Sequence, residues 1–148
     1  MTLEAVLAAL HLVAILTFVV FLSSQAALCR IEWLNAAVVE RLVRLDVICV
    51  VAGAVMIATG LARVLWGVKG VSWYLSQPLF HIKITIVLAM VMLSFVPSAA
   101  FRRWRRNLRS AGALPGAQEV AKVRRLVMIQ SHVLPVVAVI AVFWARGW

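Results

Sequence analysis

Four apolar stretches, at residues 3–28, 46–66, 79–96 and 126–144, make up most of a 148-residue chain. Each approaches the roughly 20 apolar residues that a helix needs to cross a hydrocarbon layer about 30 Å thick. Backbone surrounded by lipid must satisfy its own hydrogen bonds, so an apolar stretch of this length folds as a helix. The pattern predicts an all-α integral membrane four-helix bundle that uses residues 1–148 as one domain and leaves no room for a second, soluble one. Composition agrees: 65% of the residues are hydrophobic, against about 45–50% in ordinary soluble domains.

The charges lie between these stretches. The formal net charge is +10, which in a soluble protein would suggest nucleic acid. Here most of it falls in one loop, between the third and fourth spans, where Arg102, Arg103, Arg105, Arg106 and Arg109 are followed by Lys122, Arg124 and Arg125. The loop between the first two spans adds Arg30, Arg41 and Arg44, whereas the other side has only Lys69 and Arg146 beyond the boundary residues Arg63 and Lys83. The positive-inside rule places both basic loops in the cytoplasm and both termini outside. This is the topology of a multi-pass protein of the bacterial cytoplasmic (inner) membrane, with the lipid bilayer and not nucleic acid as its partner. Glu4 is the only charge before the first apolar run, and no small-residue cleavage pattern follows, so that run reads as a retained span rather than a signal peptide.

Local signals refine the helices. Asn35 is placed to cap the second helix, which carries Glu40, Arg41 and Arg44 before entering the membrane near Asp46. Residues 67–78 read as a turn, with Trp73 and Tyr74 in an interfacial aromatic belt. Pro97 is a kink site, and residues 110–117 are the strongest loop signal in the chain. Gly53, Gly60 and Gly67 recur every seven residues and so share a helix face. Such a stripe admits either a closely packed neighbouring helix or a flat cofactor.

Ionisable groups within spans are costly and mark candidate sites. At ~1.5 Å per residue from the outer boundary, His11 lies ~12 Å deep, Met56 ~15 Å, Met90 ~17 Å and His132 ~18 Å, whereas Arg63, His81 and Lys83 lie within ~6 Å. A mid-depth histidine facing into a helical bundle is suited to ligate haem iron. His11 is therefore the metal-ligand candidate, with Met56, Met90, His81 or His132 as the second ligand. Arg63, His81 and Lys83 form a basic rim suited to a carboxylate, a phosphate or haem propionates. Asp46, near the inner boundary, is expected to pair with a loop arginine. Gln130, Ser131 and His132 are expected to hydrogen-bond across helices. Cys29 and Cys49 lack metal or redox spacing and read as small buried residues.

Through "LEAVLAALHLVAIL", "RLVRLD", "TGLARV", "GVSWYLSQPLFHIK" and "FWARGW", nearly the whole chain resembles an uncharacterised family of small bacterial four-helix membrane proteins, which implies a fold but no activity. More distantly it is similar to the HemJ-type membrane protoporphyrinogen oxidases. Three short motifs carry that similarity: Leu10 with His11, then Thr59, Gly60 and Leu61, then His81 and Lys83 two residues apart. The resemblance implies haem b on His11 and a functional lysine at Lys83. The chain departs from the family in its fourth helix, where "QSHVLP" has the proline but no acid in place of an Asn-Glu pair, and in its third helix, which lacks an aromatic–histidine pair in its second half.

Together these readings lead to an expected haem b protein acting in electron transfer or porphyrin-related redox chemistry, with a quinone or a respiratory or other membrane protein as its electron partner. The alternatives are a non-enzymatic accessory or small carrier protein without cofactor, and a metal permease using His11, Met56, Met90 and Met92.

Overall fold

The computed structural model describes residues 2–67 and 70–145. Its helices are α1 (Thr2–Leu28), α2 (Ala36–Trp66), α3 (Val71–Leu75), α4 (Pro78–Ala111) and α5 (Ala117–Ala145), with one 3-10 turn at Ile31–Trp33. All but α3 are long and apolar enough to cross a membrane. Helix α1 packs on α2, α2 on α4, α4 on α5 and α5 on α1, which closes a ring of four. Lys69 and Arg146, used above to orient the chain, lie outside the described residues.

The helix boundaries follow from their capping residues. Asn35 takes an extended conformation, and its side-chain oxygen accepts a hydrogen bond from the Val38 amide at 3.0 Å, which starts α2. Pro78 opens α4 in the first turn, where its missing N–H costs nothing. Gly112 ends α4 in the left-handed region at φ 63°, with its amide bonded to the Leu108 carbonyl. The helix continues through Pro97 without interruption.

At 34 residues, α4 is about 51 Å long and exceeds the hydrocarbon layer. The excess projects at the arginine-rich side, here called the basic end. That is also where most of the apolar core lies. Val39, Leu42 and Val43 of α2, Phe101 and Trp104 of α4, and Val120, Val123 and Val127 of α5 are all buried there, together with Leu22, Ala26 and Cys29 at the end of α1. Glu119 ties this cap together by accepting from Trp104 Nε1 at 2.7 Å and from Arg103. Arg109 reaches across to Glu40 at 2.8 Å. Both cysteines are free and buried, as expected, and burial pushes the Cys29 thiol up to about 11. Within the spans, large residues such as Leu12, Val47, Leu88 and Val139 point outward, toward lipid.

Three expectations need correction. Residues 67–78 are not a plain turn: they contain α3, entered through Gly70 at φ 74°. Tyr74 is buried rather than exposed, edge-on to Trp73 and tilted against Phe80 at ring-centre distances of 5.2 and 5.6 Å. Asp46 accepts its hydrogen bond from the Ser98 hydroxyl of α4, at 2.6 Å, and the loop arginine Arg102 acts on it through charge without a direct salt bridge.

Candidate functional site

Helices α1 and α2 run antiparallel with a fixed register. A side chain added at Gly60 would meet the His11 ring at 3.2 Å, and one added at Gly53 would meet the Phe18 ring at 3.5 Å. Seven residues further along α1, Gln25 faces Asp46, again seven residues back along α2. The glycine stripe is therefore a seat for rings, but the rings belong to α1. The flat objects in the spaces left by Gly53 and Gly60 are Phe18 and His11 themselves.

His11 is held on its second side by Thr59, whose Oγ1 lies 2.9 Å from Nδ1. The same hydroxyl lies 2.7 Å from the Val55 carbonyl and 3.1 Å from the Met56 carbonyl. A hydroxyl has one hydrogen, and a carbonyl can only accept. With that hydrogen given to the helix backbone, Thr59 accepts from His11 Nδ1–H. In this arrangement the proton lies on Nδ1, and a neutral ring then carries its lone pair on Nε2.

Arg63 lies one helical turn beyond Thr59, and Lys83 enters from α4. Both cations act electrostatically on the His11 ring, and Arg63 acts on Lys83. Arg63 Nε is buried with no hydrogen-bond partner among the described residues. The result is an oriented imidazole close to two cations drawn from different helices.

The other predicted site residues stand apart from this group. His81, two residues before Lys83 and therefore on another face of α4, is exposed and donates Nε2–H to the Leu75 carbonyl at 2.8 Å, which fastens α3 to α4. His132 is exposed and turns Nδ1–H back to the Met128 carbonyl at 2.7 Å. Met90 is buried in the apolar cluster, and its carbonyl accepts from Gln130 at 3.1 Å. Gln130 also donates to Ser94 at 2.9 Å, the expected cross-helix bond. Met56 is half-buried one turn from Thr59 toward the basic end. Among the described residues no group of three or more His, Cys, Asp or Glu side chains could hold a metal ion.

Sequence reasoning missed Thr59 as the partner of His11, and Gln25 and Ser98 as the surroundings of Asp46. A signal was present: His11, Phe18 and Gln25 recur every seven residues on α1, and Gly60, Gly53 and Asp46 recur every seven in reverse on α2. Two matched heptads of opposite direction describe an antiparallel helix pair.

The fold and the polar groups within it define a multi-pass membrane protein with four spanning helices. Residues 3–148 match the model of the family described as "Predicted membrane protein (DUF2214)", and the chain belongs to that family. No curated protein and no solved structure matches the chain.

Proposed function

We propose that the end of the bundle opposite the basic end binds haem b, where His11 Nε2 would ligate the iron and Arg63 and Lys83 would hold the propionates. One observation carries this reading. Thr59 Oγ1 lies 2.9 Å from His11 Nδ1 and 2.7 Å from the Val55 carbonyl, and a hydroxyl that donates to that carbonyl accepts from Nδ1–H and leaves Nε2 of a neutral ring as a free donor. Metal-ligating histidines are typically fixed in this way, by a hydrogen bond from the other ring nitrogen. The donor set suits the group: an imidazole for iron, two cations for two carboxylates, and an Arg63 Nε that has no hydrogen-bond partner among the described residues. The short motifs at Leu10–His11 and at Thr59–Leu61 that carry the likeness to the HemJ-type oxidases are, in space, a single contact. Met56 is the second-ligand candidate closest in sequence to Thr59.

Bound haem supplies one-electron redox chemistry, exchanged with a quinone or a membrane partner. The chain's own part is to present Nε2 in one tautomer, to neutralise the propionates and to exclude water from the ring plane with the apolar residues around His11. Absorption spectra of the detergent-purified protein, oxidised and then reduced with dithionite, test this. The expected result is a Soret band that sharpens on reduction with α and β bands, and that is lost in His11→Ala while helical circular dichroism is retained. A featureless spectrum after expression with added haem precursor overturns the reading. The His11–Thr59 bond is then an interhelical tie in an accessory or carrier protein.

A further inference from the structure

At the basic end, the arginines of α4 divide between two directions. Arg103 turns to α5 and meets Glu119. Arg102, Arg105, Arg106 and Arg109 stand at positions i, i+3, i+4 and i+7, so they share one helix face. They line a surface recess of about 500 Å³. Arg102 and Arg105 also line a second recess, of about 170 Å³, whose remaining wall is Val43, Asp46, Val47, Val50 and Val51 of α2. The two recesses share Arg102 and Arg105 and adjoin as one groove, lined by α4 alone at its outer part and by α4 and α2 at its inner part. The outer half is guanidinium-lined. The inner half is walled by the exposed Val47, Val50 and Val51, beside the buried Val43 and Asp46.

The charges along the groove are unevenly compensated. Arg102 gives its Nε–H to the Ser98 carbonyl at 3.1 Å and acts on the buried Asp46 carboxylate. Arg109 is paired with Glu40. Arg105 and Arg106, between them, make no salt bridge or side-chain hydrogen bond with any described residue. Two uncompensated guanidiniums therefore sit at the basic end beside an apolar stretch about 6 Å long from Val47 to Val51. Guanidinium forks match phosphate oxygens in geometry as well as in charge.

We infer that this groove is a binding site for an anionic phospholipid with two phosphodiester groups, its phosphates on Arg105 and Arg106 and an acyl chain along Val47, Val50 and Val51. A lipid is the occupant because the cationic half runs without a break into a lipid-facing half, which a soluble phosphate would leave uncovered. Two phosphodiesters, rather than one, balance the two free guanidiniums. The site stands independently of any haem at the opposite end.

The test compares thermal melting and binding of the full chain in non-ionic detergent doped with cardiolipin, with phosphatidylglycerol at equal total phosphate, or with phosphatidylcholine. The variants are Arg105→Gln/Arg106→Gln and, as a control of equal charge at the same end but off the groove, Lys122→Gln/Arg125→Gln. Cardiolipin is expected to raise the melting temperature more than phosphatidylglycerol does. The groove variant is expected to lose roughly thirtyfold in cardiolipin affinity, the control little, and both are expected to melt like the parent in phosphatidylcholine. Equal stabilisation by the two anionic lipids, or equal loss in the two variants, overturns the site in favour of general surface charge. A groove variant that melts early in phosphatidylcholine assigns the arginines to folding instead, which also overturns it.

Discussion

At the scale of the residue, the informative atom is a hydroxyl. Thr59 is an unremarkable β-branched residue in an apolar helix, yet its hydroxyl lies 2.9 Å from His11 Nδ1 and so bears on which nitrogen carries the proton. Thr59→Val preserves shape and removes the acceptor. If His11 holds haem, this substitution is expected to lower haem affinity about 10- to 100-fold, read by titrating haem into the apo protein, with the helical content unchanged. An unaltered affinity would mean that packing against Gly60 alone sets the ring. Sequence reasoning could find His11, because a histidine flanked only by apolar residues is conspicuous. It could not find the tautomer, because that depends on which of three acceptors receives one hydrogen. Asp46 teaches the same lesson: its buried carboxylate was visible, but whether arginine or serine answers it depends on a neighbour 52 residues away.

At the scale of the element, each long helix was legible from its apolar length, and the start of α2 from Asn35. That capping bond joins an exposed side chain to an otherwise unpaired amide. Asn35→Ala is therefore expected to cost about 1 kcal/mol, measured by thermal or denaturant unfolding in detergent, and Asn35→Asp is expected to restore most of it. No change in the alanine variant would show that α2 is held entirely by its packing on α1. Helix α3 was not legible. Five residues cannot display a helical period, and this one depends on contacts no local pattern encodes: His81 holding its last carbonyl and Tyr74 packed beneath Phe80. The glycine stripe falls between these cases. Its seven-residue period announced that something flat or close would lie there, but the occupant came from another helix.

At the scale of the molecule, the core is uneven. The cap at the basic end is packed as a soluble bundle would be, with Leu42, Phe101 and Trp104 essentially inaccessible. In the spans, many large apolar residues face outward and contribute nothing to helix association, since lipid is as apolar as they are. Leu42→Ala is therefore expected to destabilise by about 2–5 kcal/mol, while Leu88→Ala, at a position 58% exposed, is expected to be nearly neutral. Chemical unfolding in a fixed detergent would separate the two, and comparable losses would mean that the bundle is stabilised evenly along its length. The exposed pairs Arg109–Glu40 and Arg103–Glu119 add little to this balance, being well solvated.

The matched heptads of α1 and α2 have a mechanical consequence. Because Gln25 meets Asp46, Phe18 meets Gly53 and His11 meets Gly60 in one register, the two helices mesh like a rack. No single pair can slip without the other two. A shift of α1 by one tooth would move Phe18 and His11 off their glycines together. The height of His11 is thus geared to the setting of Gln25, 14 residues and about 21 Å away. An event at the charged surface that displaced Gln25 along α2 would be transmitted to the imidazole as travel of equal length, with α1 as the connecting rod.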